Sequence, residues 1–319
     1  MPPAHIRLIA PSGHAHDPAV MARGVARLRD AGCMVDGTEV LDRVDLRFAG
    51  SAAERAADIN ALATLEDLPD IALATRGGYG AVHLLAHLHY DALREHLHDA
   101  PMALVGHSDF TVLQLALYAR SGLCTFSGPL LADLGAEIPD ESSWRQFWST
   151  LTSSGMSVTW TSRIEAGLDV HGPLWGGNLA VLCSLLGTPW FPAIEGGILF
   201  VEDVFEAPYR VERMLYQLHL SGVLGRQQAL LLGNFSQCEP AGRDNGYDLA
   251  AAIERIRAVA GLPVIEGLPH GHGGQQLTLP FGAPARLRVE GHAARLEASG
   301  YPHRASPDGA IPADVAENP

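Results

Sequence analysis

The chain alternates short apolar runs with longer helical patterns, and this alternation constrains its fold more than any other feature. Residues 5–13 (HIRLIAPSG) are typical of a strand that ends at Pro-Ser-Gly, and residues 19–32 of an amphipathic helix. Three further strand-and-helix units follow before residue 123. This order is typical of parallel βαβ units, so we predict an open α/β sheet.

The strand ends of this predicted sheet carry the most distinctive turns of the sequence. They are Pro-Ser-Gly at residues 11–13, Arg-Gly-Gly-Tyr-Gly at residues 76–80 and His-Ser-Asp at residues 107–109. In an open parallel sheet the ligand lies at the carboxyl ends of the strands. We therefore expect these three turns to share one edge and to form the functional site there.

The length of 319 residues favours two domains, because single cores stop growing at roughly 250–300 residues. We expect a first domain over residues 1–147 and a crossover over residues 148–170, within a Ser-, Thr- and Trp-rich stretch of weak periodicity. A second, mixed α/β domain rich in strands is expected over residues 171–302. The Pro-, Ala- and Asp-rich tail at residues 303–319 is expected to be disordered.

The charged residues exclude several classes of function. All 22 basic residues are Arg, and the 36 acidic residues give a net charge of −14. Without lysine, the chain cannot form a Walker phosphate loop, a Schiff base or a pyridoxal-phosphate site. The negative charge argues against nucleic-acid and anionic-membrane partners, which require a basic face.

The cysteines and the N-terminus indicate a location in the cell. The four cysteines (Cys33, Cys124, Cys183 and Cys238) are far apart and form no C-x-x-C pair, so we predict neither a thiolate zinc site nor a disulfide framework. The N-terminal apolar run is too short for a signal peptide, and no stretch approaches 18 apolar residues. We expect a reducing, cytoplasmic location.

Ser108 is the first candidate for chemistry. An apolar strand, ALVG, leads into His107-Ser108-Asp109, and a long apolar-faced helix follows at once. A serine on such a turn exposes its hydroxyl, while the helix start offers amide groups to an oxyanion. The usual G-x-S-x-G pattern is altered, because Phe110 replaces the second glycine. A simple helix N-cap at Ser108 or Asp109 explains the same pattern equally well.

Three other segments offer partners for that serine. The glycine turn beginning at Arg76 is a candidate oxyanion or positioning loop, although an ordinary glycine turn is an equal alternative. Glu202 ends a strand and Glu206 follows four residues later, so either carboxylate is able to orient a histidine, as well as to cap a helix or pair with a cation. The turn His270-Gly-His272 supplies an imidazole. The spacing of the histidines matches no zinc pattern, so we expect no metal.

Several ordered blocks of the sequence resemble the LD-carboxypeptidase family. They are IAPSG, TRGGYGAVHLL, VGHSDFTVLQLALYARSGLCTFSGP, LWGGNLAVLCSLLGTP, ILFVEDVFEAPYRVERML and GHGGQQLTLPFG, and they cover most of residues 6 to 290. The resemblance implies a Rossmann-like N-terminal domain with a parallel sheet, a C-terminal mixed α/β domain and a homodimer. It also implies a serine peptidase that needs no metal or organic cofactor.

Residue roles follow from the resemblance position by position. The nucleophile falls on Ser108, the base on His272 and the acid on Glu202, which we prefer to Glu206 because Glu202 stands at the strand end itself. The oxyanion donors fall on the backbone amides of Asp109 and of Gly77 or Gly78.

The substrate of a carboxypeptidase ends in a carboxylate, which the site has to recognise. In a chain without lysine, Arg76 is our candidate for a bidentate clamp on that group, with Tyr79 as a further substrate contact. A surface arginine without such a role is the alternative for Arg76.

Three functional hypotheses follow. The first is an LD-carboxypeptidase that removes the terminal D-alanine from murein tetrapeptides in cell-wall recycling, with a small peptide as its only partner besides a second copy of the chain. The second is a microcin-immunity peptidase that cleaves aminoacyl or peptidyl adenylate-like amides, which a tryptophan stacking on adenine would favour. Trp144, Trp148 and Trp160 are candidates for that role. The third is a peptide-binding protein without catalytic activity.

Overall fold

The first sheet contains three short segments, Ile71–Ala74, Ala103–Gly106 and Thr125–Ser127, that are buried on both faces, as parallel strands covered by helices must be. The structure, a computed structural model, describes residues 4–138 and 140–304. The parallel strands of this sheet are β1 (His5–Ile9), β2 (Met34–Asp36), β3 (Ile71–Ala74), β4 (Ala103–Gly106) and β5 (Thr125–Ser127). Their spatial order is β5-β4-β3-β1-β2.

In the first half of the chain, helices connect these strands, and two more helices follow the last of them in sequence. They are α1 (Pro18–Asp30), α2 (Ala52–Asn60), α3 (Tyr90–Leu97), α4 (Thr111–Ser121), α5 (Leu131–Leu134) and α6 (Glu141–Thr152). Local sequence fixes several of their ends. Asp17 accepts two amide hydrogen bonds at the start of α1, and Gly122 ends α4 in the left-handed conformation.

The second sheet combines a parallel core with a long antiparallel pair. Its strands are β6 (Gly155–Asn178), β7 (Gly197–Val204), β8 (Gln227–Ser236), β9 (Val264–Glu266) and β11 (Pro284–Ser299); β10 (Leu279–Phe281) belongs to the first sheet. A helix follows each of β6, β7 and β8 in the chain; these helices are α7 (Leu179–Ser184), α8 (Pro208–Leu220) and α9 (Leu249–Ala260). Strands β6 to β9 run parallel in chain order, whereas β11 pairs antiparallel with β6. The predicted α/β fold with a largely parallel arrangement is confirmed.

One connection carries the chain from the second sheet back to the first. Strand β9 ends at Glu266 in the second sheet, and β10 begins at Leu279 and pairs antiparallel with β5. Residues 267–278 therefore have to cross between the two sheets. This crossing segment contains His270 and His272, and it ends at β10, two strands away from β4, which leads to Ser108.

Two segments differ from the sequence-based expectations. Residues 141–152 form helix α6 because Trp144, Phe147, Trp148 and Leu151 are spaced as one apolar helix face, and all four are buried. Residues 81–88, predicted as a helix, form only a 3₁₀ turn at Ala81–Leu84, although Leu84, Leu85 and Leu88 are buried.

The predicted crossover at residues 148–170 comprises the end of α6 and the first part of β6, and the division into domains stays a prediction. The expected disordered tail lies outside the described residues from residue 305 onward. Among the residues described, none of the helices combines the length and the apolar character needed to cross a bilayer.

Candidate active site

The turn after β4 holds Ser108 in a strained backbone conformation. Ser108 has φ of 64°, in the left-handed region that residues other than glycine rarely adopt. It begins a 3₁₀ turn that continues into α4. The tight turn depends on Gly106, where a Cβ would lie 2.3 Å from the Phe110 ring. The predicted strand-to-helix elbow is therefore present, and Phe110 occupies the space above the glycine.

The serine meets an imidazole and a carboxylate from the second half of the chain. His272 Nε2 lies 3.1 Å from Ser108 Oγ, and His272 Nδ1 lies 2.7 Å from Glu202 Oε2. The backbone N–H of His272 donates to the same Glu202 oxygen at 3.1 Å. Two donors from one residue therefore fix the ring relative to the carboxylate. The three residues form a continuous hydrogen-bonded chain of the serine-hydrolase type.

Glu202 is held by residues that the sequence did not single out. It lies in β7 and is fully buried, and its second oxygen accepts a hydrogen bond from Asn178 Nδ2 at 3.2 Å. Asn178 also donates to Asp203 and caps α7 through its side-chain oxygen. The alternative acid, Glu206, instead lies 3.7 Å from Arg210. The geometry thus places Glu202, and not Glu206, behind the imidazole.

The pKa values of these groups fit their arrangement. Burial by itself raises the pKa of Glu202, but His107 and the hydrogen bond from His272 outweigh burial and hold this pKa at about 2. Burial lowers the pKa of His272, yet the hydrogen bond and charge of Glu202 raise it above its ordinary value overall. Glu202 is therefore a carboxylate at neutral pH, and its charge favours an imidazolium at His272.

The glycine turn lies directly against the serine. A Cβ on Gly77 would lie 2.9 Å from Ser108 Cβ and 3.1 Å from its Oγ. Within residues 4–138 and 140–304, neither Gly77 nor Gly78 donates its amide to another protein group. Gly77 itself accepts a hydrogen bond from Gly13 N–H at 3.2 Å, which joins two of the three predicted turns. The predicted convergence of these turns is present in the structure.

Asp109 connects the same turns through its side chain. Its Oδ2 accepts hydrogen bonds from Ser12 Oγ at 2.7 Å and from the Ala81 N–H at 2.8 Å. Burial raises the pKa of this carboxyl group. The sequence predicted an oxyanion role for the backbone of Asp109, or else a helix N-cap, but not these side-chain contacts. The side-chain contacts depend on distant segments, which local sequence patterns do not reveal.

A buried arginine, Arg55, holds two of these turns through hydrogen bonds to their carbonyl oxygens. Arg55 in α2 is 1% exposed, and its guanidinium donates to the carbonyls of Pro11, Gly50 and Gly80 at 2.8, 3.1 and 2.9 Å. Arg55 is not among the residues predicted from the sequence. The available signal was its position on the buried face of α2, where an arginine requires partners.

Ser108 and His272 line a cleft of about 710 Å³. Arg76, Gly77 and Gly78 line the same cleft. Arg76 is half-buried and donates to the His14 carbonyl at 3.0 Å. Among the described residues, no carboxylate lies within ion-pair distance of Arg76. Burial lowers its pKa, and the charge of Arg47 adds to this effect. The cleft therefore contains a cation that is able to bind an anionic group.

Two other predicted contact residues, Tyr79 and Trp144, differ in their position relative to the cleft. Tyr79 is not among the residues that line the cleft; its ring is 46% exposed and packs against Phe48 and His83. Trp144 lines the cleft, but it is buried and the guanidinium of Arg27 lies 4.5 Å from its ring centroid. Substrate contact by Tyr79 stays a prediction.

The parallel sheets, the strained serine and the Ser–His–Glu chain together are typical of a serine hydrolase whose site lies between two halves of the chain. Models of the N-terminal and C-terminal domains of LD-carboxypeptidases match residues 6–128 and 171–287. The chain belongs to the LD-carboxypeptidase family. It is accordingly a serine carboxypeptidase, a class of hydrolase.

The similarity to known relatives extends over nearly the whole chain. A probable murein peptide carboxypeptidase of Bacillus subtilis is 30% identical over 302 residues, which cover 92% of this chain and 91% of that protein. The crystal structure of muramoyltetrapeptide carboxypeptidase from Oxalobacter formigenes is 40% identical, with a TM-score of 0.85, and the match covers 94% of this chain and 100% of that one.

The microcin C7 self-immunity protein of Escherichia coli is also related. It is 29% identical over 292 residues, which cover 82% of this chain and 83% of that protein.

Proposed function

We propose that the protein is an LD-carboxypeptidase that hydrolyses the amide bond to the terminal D-alanine of murein tetrapeptides during cell-wall recycling. The observation that carries the proposal is the hydrogen-bonded chain from Ser108 through His272 to Glu202 in a cleft that Arg76 also lines. The substrates named for the relatives from B. subtilis and O. formigenes support the choice of a murein peptide.

The proposed reaction begins with proton transfer. His272 Nε2 takes the proton of Ser108 Oγ, and the oxygen attacks the carbonyl carbon of the scissile amide. Glu202 holds the ring and stabilises the imidazolium that forms, consistent with the raised pKa of His272. His272 then gives the proton to the departing amine nitrogen. Water, activated by the same imidazole, releases the peptide from Ser108.

The oxyanion of the tetrahedral intermediate requires hydrogen-bond donors near Ser108. We assign the backbone N–H of Asp109 and that of Gly77 or Gly78 to this role. The close approach of Gly77 to the serine supports the assignment, because a side chain at this position would contact the nucleophile. No step of this reaction needs a metal ion or an organic cofactor.

Arg76 is proposed to bind the terminal carboxylate of the substrate. Its guanidinium lies in the same cleft as the nucleophile, and it is already oriented by the His14 carbonyl. A planar guanidinium is suited to bind a carboxylate through two parallel hydrogen bonds. This contact would explain why a terminal residue, and not an internal bond, is cleaved.

The test is hydrolysis of a defined substrate. Purified protein is incubated with UDP-MurNAc-tetrapeptide or free tetrapeptide, and D-alanine release is followed by mass spectrometry. We expect release by the native chain and none by Ser108→Ala. Absence of release by the native chain would contradict the proposal.

Two further measurements, hydrolysis of a second substrate and binding of tetrapeptide, would support the other hypotheses. Cleavage of an aminoacyl sulfamoyl adenylate, with the tetrapeptide left intact, would identify a microcin-immunity activity. The Arg27 guanidinium over the ring of Trp144 argues against adenine stacking on this tryptophan, because it occupies a face needed for the contact. Tight binding of tetrapeptide without product would identify a peptide-binding protein.

We further propose a cytoplasmic homodimer. The buried thiols of Cys183 and Cys238 fit a reducing compartment. Light scattering of the purified protein tests the dimer, and cell fractionation tests the location. A monomer in solution would contradict the proposed dimer. Recovery of the protein with secreted proteins would contradict the proposed cytoplasmic location.

A further inference from the structure

His107 is a buried histidine that the proposed reaction does not use. It is 3% exposed, and its Nε2 has no hydrogen-bond partner in the described part of the chain. This nitrogen lies 3.6 Å from Glu202 Oε1, whereas His272 Nδ1 contacts Oε2, and the centroids of the two imidazole rings are 4.6 Å apart. A buried polar atom without a partner is costly, so its position beside a carboxylate calls for a physical explanation.

The three side chains around this point form a metal-ligand set. Each of His107, Glu202 and His272 offers a ligand atom, and these atoms lie within 4.8 Å of one another. Two imidazoles and one carboxylate are a common donor set for Zn²⁺, which leaves a fourth position for water. An ion can reach the group from solvent, because His107 and His272 both line the cleft.

We propose that His107, Glu202 and His272 form an inhibitory site for a divalent transition-metal ion, with Zn²⁺ as the best match. The ion is not part of the reaction. Its binding needs small shifts of the imidazoles and replaces the contact between His272 Nδ1 and Glu202. The inhibition rests on the proposed function, whereas the binding of Zn²⁺ does not.

The expected mechanism of inhibition follows from the two nitrogens of His272. Ligation through Nδ1 uses the lone pair of this nitrogen, so the ring proton has to reside on Nε2. Nε2 faces Ser108 Oγ and would then donate to it. A nitrogen that carries this proton cannot accept the serine proton. No covalent bond of the protein is broken when the ion binds, so a chelator should restore the contact between His272 Nδ1 and Glu202 and with it the active tautomer.

Calorimetric titration with Zn²⁺ alone tests the site without any substrate. We compare the native chain with His107→Phe, which keeps an aromatic ring but removes the ligand. The matched control is His171→Phe, because His171 is an exposed histidine 3.8 Å from Asp169 and provides an ordinary surface site. We expect His107→Phe to weaken binding by about tenfold or more and the control to leave it unchanged.

Activity provides the second measurement. Zn²⁺ should inhibit D-alanine release by the native chain, EDTA should reverse the inhibition, and His107→Phe should need about tenfold more Zn²⁺. If His107→Phe does not fold by circular dichroism, His107→Gln takes its place. Absence of Zn²⁺ binding by the native chain would overturn the proposed metal site. Equal binding by the native chain and the His107 variant would overturn it as well. If the chain does not cleave tetrapeptide, only the calorimetric result decides.

Discussion

Replacing Glu202 with glutamine changes the charge behind the imidazole while keeping the size of the side chain. One oxygen of Glu202 accepts both donors of His272, and the other accepts from Asn178. A glutamine that keeps its oxygen towards His272 turns its NH₂ towards the NH₂ of Asn178. Asn178 cannot rotate freely, because it also donates to Asp203 and caps α7.

The magnitude follows from these contacts. Two buried donors that face each other should cost about 1–3 kcal/mol of stability. If glutamine turns the other way, His272 adopts the wrong tautomer, and the loss of kcat should approach about 10⁴-fold, or about 5 kcal/mol of transition-state stabilisation. The hydrogen bond and charge of Glu202 raise the pKa of His272. The acid limb of kcat/KM should therefore move to lower pH in Glu202→Gln.

The assay is the pH profile of D-alanine release, with urea unfolding as the measure of stability. Glu206→Gln is the matched control, because Glu206 is the neighbouring carboxylate paired with Arg210. We expect the control to retain kcat/KM within about twofold. Similar activity of both variants, with an unmoved acid limb, would refute the reasoning.

Three other substitutions test other parts of the site. Gly77→Ala places a Cβ 2.9 Å from Ser108 Cβ, so kcat should fall by about tenfold to a hundredfold; steady-state kinetics with unchanged kcat would contradict this. Arg76→Leu should raise KM for tetrapeptide by about tenfold or more but leave a C-terminally amidated peptide unaffected; an equal effect on both would exclude a carboxylate clamp. Arg55→Met leaves three buried carbonyls without a donor and should destabilise the fold by about 3 kcal/mol in urea unfolding; a change below about 0.5 kcal/mol would show that solvent replaces the guanidinium.

The sequence predicted features that depend on local patterns. The apolar run before Ser108 and the helix after it indicated the elbow, and the alternation of strands and helices indicated the parallel sheet. The turn His270-Gly-His272 after a strand end supplied an imidazole, and His272 completed the candidate set with Ser108 and Glu202. The resemblance to a family favoured His272, and the structure places that ring against Ser108.

Features that depend on distant contacts could not be predicted. Arg55, Asn178 and the side chain of Asp109 have roles only because segments far apart in the chain meet around them. Helix α6 is different, since its apolar positions were visible in the sequence. Its serines and threonines obscured that pattern, because these residues are also typical of loops.

The central claim is that an imidazole from the second half of the chain activates a serine in the first half. Labelling with a fluorophosphonate, followed by peptide mass spectrometry, tests this claim most directly. We expect one adduct, on Ser108, in the native chain and a strongly reduced rate of labelling in His272→Ala. An adduct on another residue, or labelling of Ser108 at the same rate without His272, would contradict the account.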